Sequence, residues 1–151
     1  MTSMISTNLN STLQSRLAKG NGVVIENFLK SEKYFEILEF ALNNEAVFRE
    51  SQTITQEADY RKSSLIFSYE FPHIYEWMKS AILHHFPRVC HQLSHAYFPI
   101  TEIEMQMTVH NDGNFYKLHN DSGSDNTCTR ELTYVYYFFQ EPQQFSGGEL
   151  Q

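Results

Sequence analysis

Apolar residues recur at helical spacing in two stretches of the first two thirds of the chain. The first stretch follows Ser31, a residue type favoured as an N-cap, and stops at the pair Asn43-Asn44. The second begins at Pro72, a residue that helices tolerate in their first turn, and extends to about His95. Pro87 interrupts this second stretch and predicts either the end of the helix or the start of another.

Strands are predicted on both sides of the second helix. Two short ones cover the β-branched run at 23–25 and residues 64–69. A longer one covers Thr101–His110, where apolar and polar residues alternate as they do in a half-buried strand. Residues 111–114 contain an Asp-Gly pair, which predicts a hairpin whose second arm is 115–118.

The last part of the chain has the strongest β-type composition. Arg130–Phe139 carries apolar residues on both faces, which predicts a central and buried strand. The polar residues 122–129 predict a loop ahead of it, and Glu141-Pro142 ends the run. Gly147-Gly148 predicts the start of one more strand.

These elements make up one α+β domain of ordinary size, since the chain has 151 residues. A polar tail at 1–20 precedes a helical support at 21–98 and a β-core at 99–151 of the domain 21–151. The net charge of −7 argues against nucleic acid or an anionic membrane as a partner. Two cysteines make no disulfide framework and no apolar run has the length of a membrane span, so a cytoplasmic location is predicted.

His119 and Asp121 are the residues that carry candidate chemistry. Residues two apart on a strand point to the same face, so the imidazole and the carboxylate are expected to converge on one point. This pair supplies two of the three groups in the 2-His-1-carboxylate set that binds non-haem Fe(II). The alternative is a surface histidine followed by an aspartate that caps the turn at Ser122.

The order of motifs in the β-rich part resembles the prolyl 4-hydroxylase-type branch of the Fe(II)- and 2-oxoglutarate-dependent dioxygenases. The resemblance covers 100–151 closely and the preceding part of the chain more loosely. It rests on the turn at 111–114, H-x-D at 119–121, R-x-L-T at 130–133, the tyrosine-rich strand that follows and GGEL at 147–150.

The resemblance implies N-terminal helices packed on a double-stranded β-helix, which is a jelly-roll core. It implies Fe(II) as the metal, 2-oxoglutarate as the cosubstrate, ascorbate as a further candidate cofactor, and a prolyl residue of a protein or peptide as the substrate. His119 and Asp121 would be metal ligands. Tyr137 and Thr133 would lie in the 2-oxoglutarate pocket, with the Tyr137 hydroxyl on a carboxylate. A simple core position is the alternative for Tyr137.

Other residues near these motifs receive structural roles. Arg130 is expected to form a solvated salt bridge or, alternatively, to help order the active-site strand. Tyr116 is expected in the core, because it lies on the strand face opposite His119. His110 is interpreted as an edge histidine. His91 and His95 stand four apart on a helix, a spacing that can hold a metal, but they are interpreted as surface residues.

In the family that the chain resembles, a second metal histidine and a basic partner for 2-oxoglutarate follow the GGEL motif. Both would lie beyond Gln151. The expectation is therefore a jelly roll truncated after about half of its strands and inactive alone, with strand edges that favour self-association. One alternative is a non-catalytic half-barrel that binds or oligomerises. Another is a cupin-like metal protein, which the R-x-L-T and GGEL order argues against.

Overall fold

The structure is a computed structural model, and it describes residues 22–51, 60–119, 121, 122, 125 and 127–148. Within these residues the chain forms two α-helices and five short strands in two antiparallel sheets. The predicted α+β class is confirmed, and the jelly-roll core stays a prediction. The predicted polar tail at 1–20 lies outside the described residues.

The chain divides into two compact units. The first contains the described residues of Met1–Tyr34 together with Phe71–Met105. The second contains the described residues of Phe35–Glu70 and Gln106–Gln151. All four residues singled out as metal or cosubstrate contacts belong to the second unit.

The first helix, α1, spans Ser31–Asn43, as the spacing of its apolar residues predicts. Its first backbone hydrogen bond runs from Tyr34 N to the carbonyl of Lys30, so the N-cap position is one residue earlier than predicted. At the other end, the backbone N and the side-chain Nδ2 of Asn44 both donate to the carbonyl of Phe40, at 3.1 and 2.8 Å. Asn44 therefore satisfies a carbonyl that has no partner within the helix.

The second helix, α2, spans Pro72–Gln92 and passes through Pro87 without ending. The prediction that Pro87 terminates a helix or starts another is wrong. Proline removes one backbone hydrogen bond. The apolar stripe nevertheless continues past it, because Phe86 and Cys90 are both buried, and this burial offsets the loss. No helix formed by the described residues is long and apolar enough to cross a bilayer.

Five strands build the two sheets of the second unit. In one sheet the order is β1-β3-β4, and in the other β2 pairs with β5, all antiparallel. The core of this unit lies on the central strand β3, where Ile66 is fully buried opposite Met107. The strands are β1 at Arg49–Glu50, β2 at Arg61–Lys62, β3 at Ser64–Phe67, β4 at Gln106–Val109 and β5 at Phe115–Tyr116.

The Asp-Gly turn is present, but it does not join two paired strands. Asn114 N donates to the carbonyl of Asn111 at 2.9 Å, and Gly113 has a φ of 70°, as such a turn requires. However, β4 pairs with β3 and β5 pairs with β2. The continuous segment 61–67 is thus the partner of both, and the turn is an excursion opposite Ser63. The predicted pairing of the two hairpin arms is wrong.

Other predicted strands are also shorter than expected or absent. Residues 23–25 form no strand, and Thr101–His110 contributes only Gln106–Val109. Arg130–Phe139, predicted to be central and buried, forms no strand, and Val135 and Tyr137 are 55% and 53% exposed. Among the described residues, no strand of either sheet pairs with this run. Gly147 and Gly148 are not in a strand, and residues 149–151 lie outside the described residues.

Candidate metal centre

His119 follows β5 and is oriented by the backbone next to it. Lys117 N donates to the carbonyl of Tyr60 at 3.1 Å, which extends the β2–β5 pairing by one residue. The imidazole Nδ1 lies 2.8 Å from the carbonyl of Lys117. A carbonyl can only accept, so Nδ1 carries a proton, and Nε2 is the ring nitrogen that a metal would bind. Metal-binding histidines in proteins are commonly held in this way.

Asp121 places one carboxylate oxygen against Nε2, where either a proton on Nε2 or a metal ion would lie between the two atoms. Its Oδ1 lies 3.1 Å from His119 Nε2. Its Oδ2 accepts a hydrogen bond from the hydroxyl of Thr133 at 2.8 Å, and its backbone carbonyl accepts one from Arg130 Nη1 at 2.9 Å. The predicted convergence of imidazole and carboxylate is therefore present, but neither residue lies in a strand, so the strand geometry from which it was predicted is wrong. Both side chains remain accessible, at 24% and 39% exposure.

Thr133 and Arg130 connect the run 130–139, which forms no strand, to the site. The sequence predicts Thr133 as a cosubstrate contact, and the structure brings its hydroxyl to the carboxylate of Asp121. Arg130 was expected either to order the active-site segment or to form a solvated salt bridge. Its hydrogen bond to the Asp121 carbonyl corresponds to the first of these. Both contacts restrict the position of Asp121.

Tyr137 is not part of this cluster in the structure. Among the described residues, no hydrogen bond or ring contact joins it to His119 or Asp121. It is 53% exposed, so the alternative of a simple core position is wrong. Partial burial of the hydroxyl raises the pKa of Tyr137, so this group stays protonated at neutral pH and can donate to an anion. Its role in a cosubstrate pocket stays a prediction.

Tyr116 was expected in the core and instead covers one face of His119. The two ring centroids are 3.6 Å apart and the rings are within 15° of parallel. Strand alternation would separate residues 116 and 119, but β5 ends at Tyr116 and the backbone bends at Leu118. The bend turns the imidazole back over the strand. Reasoning from the period of two therefore missed this contact.

Two residues from the facing strand segment complete the surroundings of Tyr116. The Tyr60 ring meets Tyr116 edge-on at 5.6 Å and His119 at 6.4 Å. The guanidinium of Arg61 lies 4.7 Å from the centre of the Tyr116 ring. Burial raises the pKa of Tyr116 and the Arg61 charge partly opposes this, so the phenol stays neutral. The sequence offered no signal for Tyr60 and Arg61, because their proximity depends on the pairing of β2 with β5.

The other histidines do not add a ligand to this pair. His91 and His95 are exposed, as predicted, and His95 Nδ1 lies 2.8 Å from the carbonyl of Ala96. His110 is also exposed. Partial burial of its ring, followed by the Arg61 charge, lowers the pKa of His110 and keeps it neutral at pH 7. Among the described residues, no group of three or more His, Cys, Asp or Glu side chains could hold a metal ion.

Comparison with known proteins adds a hydroxylase-type relative. Over 126 residues, which are 83% of this chain, the sequence is 42% identical to a protein of Synechocystis sp. that is named an uncharacterized PKHD-type hydroxylase. This chain is similar to that protein. It spans 42% of that relative's length. No family model and no solved structure matches the chain.

The matched stretch bears on the candidate site. A continuous stretch of 126 residues in a chain of 151 must include positions 119 and 121, wherever it starts. The similarity therefore extends through the segment that carries His119 and Asp121.

Proposed function

We propose that this chain carries part of the iron site of a hydroxylase that depends on Fe(II) and 2-oxoglutarate. The observation that carries the proposal is the 3.1 Å approach of His119 Nε2 and Asp121 Oδ1. An imidazole nitrogen and a carboxylate oxygen are two donors of the 2-His-1-carboxylate set. The similarity to a PKHD-type hydroxylase supports the same conclusion from the sequence.

The chemistry of the donor pair fits a divalent metal. Because Nδ1 carries a proton, Nε2 is the ring nitrogen that would bind the metal. Oδ1 of Asp121 would bind the same ion, while Oδ2 keeps its hydrogen bond from Thr133. His119 and Asp121 would bind the metal, and a third protein group would complete the set. Their accessibility leaves room for a cosubstrate and a substrate to approach.

The proposed cosubstrate is 2-oxoglutarate, with ascorbate as an additional reductant. When bound, the metal and the cosubstrate supply oxygen activation, since oxidation of 2-oxoglutarate to succinate and carbon dioxide provides two electrons. Tyr137 is proposed to donate its hydroxyl to a cosubstrate carboxylate, which its raised pKa permits. Thr133 is proposed to act in the same pocket through its hydrogen bond to Asp121.

The proposed substrate is a prolyl residue of a protein or peptide, and the proposed location is the cytoplasm. The proposed domain covers residues 21–151, with helices packed on strands of a jelly-roll core. These finer proposals rest on the order of motifs from residue 111 to residue 150 and on the similarity to a hydroxylase-type protein.

A second candidate function is a non-catalytic module that binds a partner or a second copy of the chain. It is favoured by one observation, the exposure of large apolar side chains along residues 130–148, which form no strand. Surfaces of this kind commonly mark interaction sites. Sedimentation over a range of concentrations tests it: a monomer–dimer equilibrium without metal supports the module, and a monomer at every concentration contradicts it. These side chains are Leu132, Tyr134, Val135, Tyr137 and Phe145.

The test of the hydroxylase proposal uses the Co(II)-loaded chain. Co(II) takes the place of Fe(II) and has a visible absorption spectrum that changes when a chelating ligand binds. We expect 2-oxoglutarate to change this spectrum and succinate, which lacks the keto group, to leave it unchanged. Tyr137→Phe should weaken 2-oxoglutarate binding about tenfold, because a hydrogen bond to a charged group is lost.

Turnover provides the second part of this test. With Fe(II), 2-oxoglutarate and dioxygen, we expect the chain alone to add no oxygen to proline-containing peptides, as measured by mass spectrometry, because the described residues bring together two of the three protein donors of the set. A gain of one oxygen atom would contradict this expected inactivity. His95→Ala is the control for the Co(II) spectra, because His95 is an exposed histidine outside the site. Co(II) spectra that do not respond to 2-oxoglutarate would overturn the proposed cosubstrate.

A further inference from the structure

The imidazole of His119 is held by two contacts that restrict different motions. The hydrogen bond from Nδ1 to the carbonyl of Lys117, at 2.8 Å, fixes one direction in the plane of the ring. It leaves the ring free to rotate about that direction. The face of Tyr116, with its centroid 3.6 Å away and its plane tilted by 15°, removes this remaining freedom. The two contacts together determine where Nε2 points.

We propose that Tyr116 is a positioning residue for His119. Its ring fixes the plane of the imidazole, so that the Nε2 lone pair meets the metal at the same point as Oδ1 of Asp121, 3.1 Å away. The consequence for metal affinity rests on the proposed function. The stacking itself is a property of the metal-free chain and can be measured without it.

Tyr116 can act in this way because its own ring is fixed from the opposite strand. It lies on β5 directly across from Arg61 on β2. The Arg61 guanidinium lies over the Tyr116 ring at 4.7 Å, and the Tyr60 ring meets its edge at an angle of 81°. Arg61 is in turn held by a 2.7 Å hydrogen bond from Nε to the buried hydroxyl of Ser63. The orientation of His119 thus depends on the strand pairing.

The size of the expected effect follows from the loss of this restriction. Contacts that orient a metal-bound histidine typically change metal affinity by about 10- to 100-fold. An aromatic pair at an accessible site contributes less than such a contact, at or below the low end of this range. We therefore expect removal of the Tyr116 ring to weaken metal binding about threefold to tenfold.

The experiment compares three variants of the full chain. Tyr116→Leu removes the ring, and Tyr116→Phe keeps the ring and removes only the hydroxyl. Phe115→Leu is the matched control, because Phe115 is the neighbouring residue of β5 and is 38% exposed against 39% for Tyr116. Among the described residues it makes no ring contact with His119. Circular dichroism confirms that each variant folds.

The first readout is the NMR chemical shift of the His119 ring protons in the metal-free chain. A ring stacked on an imidazole moves these protons upfield, so we expect an upfield shift in the wild type relative to the exposed His91. The shift should persist in Tyr116→Phe and Phe115→Leu and disappear in Tyr116→Leu. Absence of the upfield shift in the wild type would overturn the proposal, even if Tyr116→Leu failed to fold.

The second readout is the dissociation constant for Co(II). We expect Tyr116→Leu to raise it about threefold to tenfold, while Tyr116→Phe and Phe115→Leu stay within about twofold of the wild type. An unchanged constant in Tyr116→Leu, when His119→Ala abolishes binding, would overturn the positioning role alone. Co(II) binding that survives in His119→Ala would instead overturn the proposed function.

Discussion

Two segments of the second unit teach opposite lessons about β structure. The segment 106–119 has a broken alternation and a glycine turn, yet seven of its backbone positions pair or extend pairing with residues 60–67. The segment 130–148 has the most β-like composition in the chain, yet it forms no strand. Composition sets the tendency of a segment to become a strand. A partner for the backbone hydrogen bonds decides whether it does.

The difference also separates the two parts of the candidate site. His119 is held by residues of the paired segments, through Lys117, Tyr116 and Tyr60. Asp121 is held by Arg130 and Thr133, which belong to the segment 130–148. The histidine is therefore fixed by strand pairing. Asp121 is fixed by two side chains, Arg130 on its backbone carbonyl and Thr133 on its carboxylate, from a segment that forms no strand. Variants in the two segments should differ accordingly.

The largest expected effect is on stability. Ile66→Ala should lower the free energy of unfolding by about 3 kcal/mol, because Ile66 is fully buried on the central strand β3. Val135 is 55% exposed in the segment 130–148, so Val135→Ala should change the free energy of unfolding by less than about 0.5 kcal/mol. Urea denaturation measures both. An equal loss of unfolding free energy in the two variants would show that the segment 130–148 is part of the core.

The next effect is on the carboxylate. Thr133→Val removes the hydroxyl that donates to Oδ2 of Asp121 and keeps the shape of the side chain. We expect the dissociation constant for Co(II) to rise about tenfold, because the ligand loses an orienting contact. Thr133→Ser, which keeps the hydroxyl, should restore wild-type affinity. If Thr133→Ser behaves like Thr133→Val, the hydroxyl is not the group that matters.

The smallest effect compares two glycines in the left-handed region. Gly113, with φ of 70°, and Gly147, with φ of 86°, both have open space where a Cβ would lie. Gly113→Ala should cost about 1 kcal/mol, because strand pairing on both sides of the turn holds its φ. Gly147→Ala should cost less than half of that, since an unpaired backbone can rotate. Denaturation curves of the two variants decide whether pairing sets the cost.

Local patterns predicted the local features of this chain. The apolar spacing predicted the helix Ser31–Asn43, and the Asp-Gly pair predicted the turn at Asn111. His119 and Asp121 lie close together as predicted, but beside a bend and in a turn and not on the strand from which their proximity was predicted. Each of these depends on residues within one turn or one strand, so the sequence contains the information needed.

Features that depend on distant partners were not predicted. The pairing of β2 with β5 brings Tyr60 and Arg61 to Tyr116, and no pattern in either segment specifies the other. The composition of Arg130–Phe139 likewise does not show that this run forms no strand in either sheet. Pro87 continues a helix because Phe86 and Cys90 are buried, which is a property of the packing. Tertiary context overrides local preference in all three cases.

The central claim is that His119 and Asp121 together bind a divalent metal. Calorimetric titration of the full chain with Co(II) tests it most directly, in the wild type, His119→Ala, Asp121→Ala and the control His95→Ala. We expect one site per chain, an affinity at least about 100-fold lower in either site variant, and wild-type affinity in the control. Wild-type affinity in both His119→Ala and Asp121→Ala would contradict the claim.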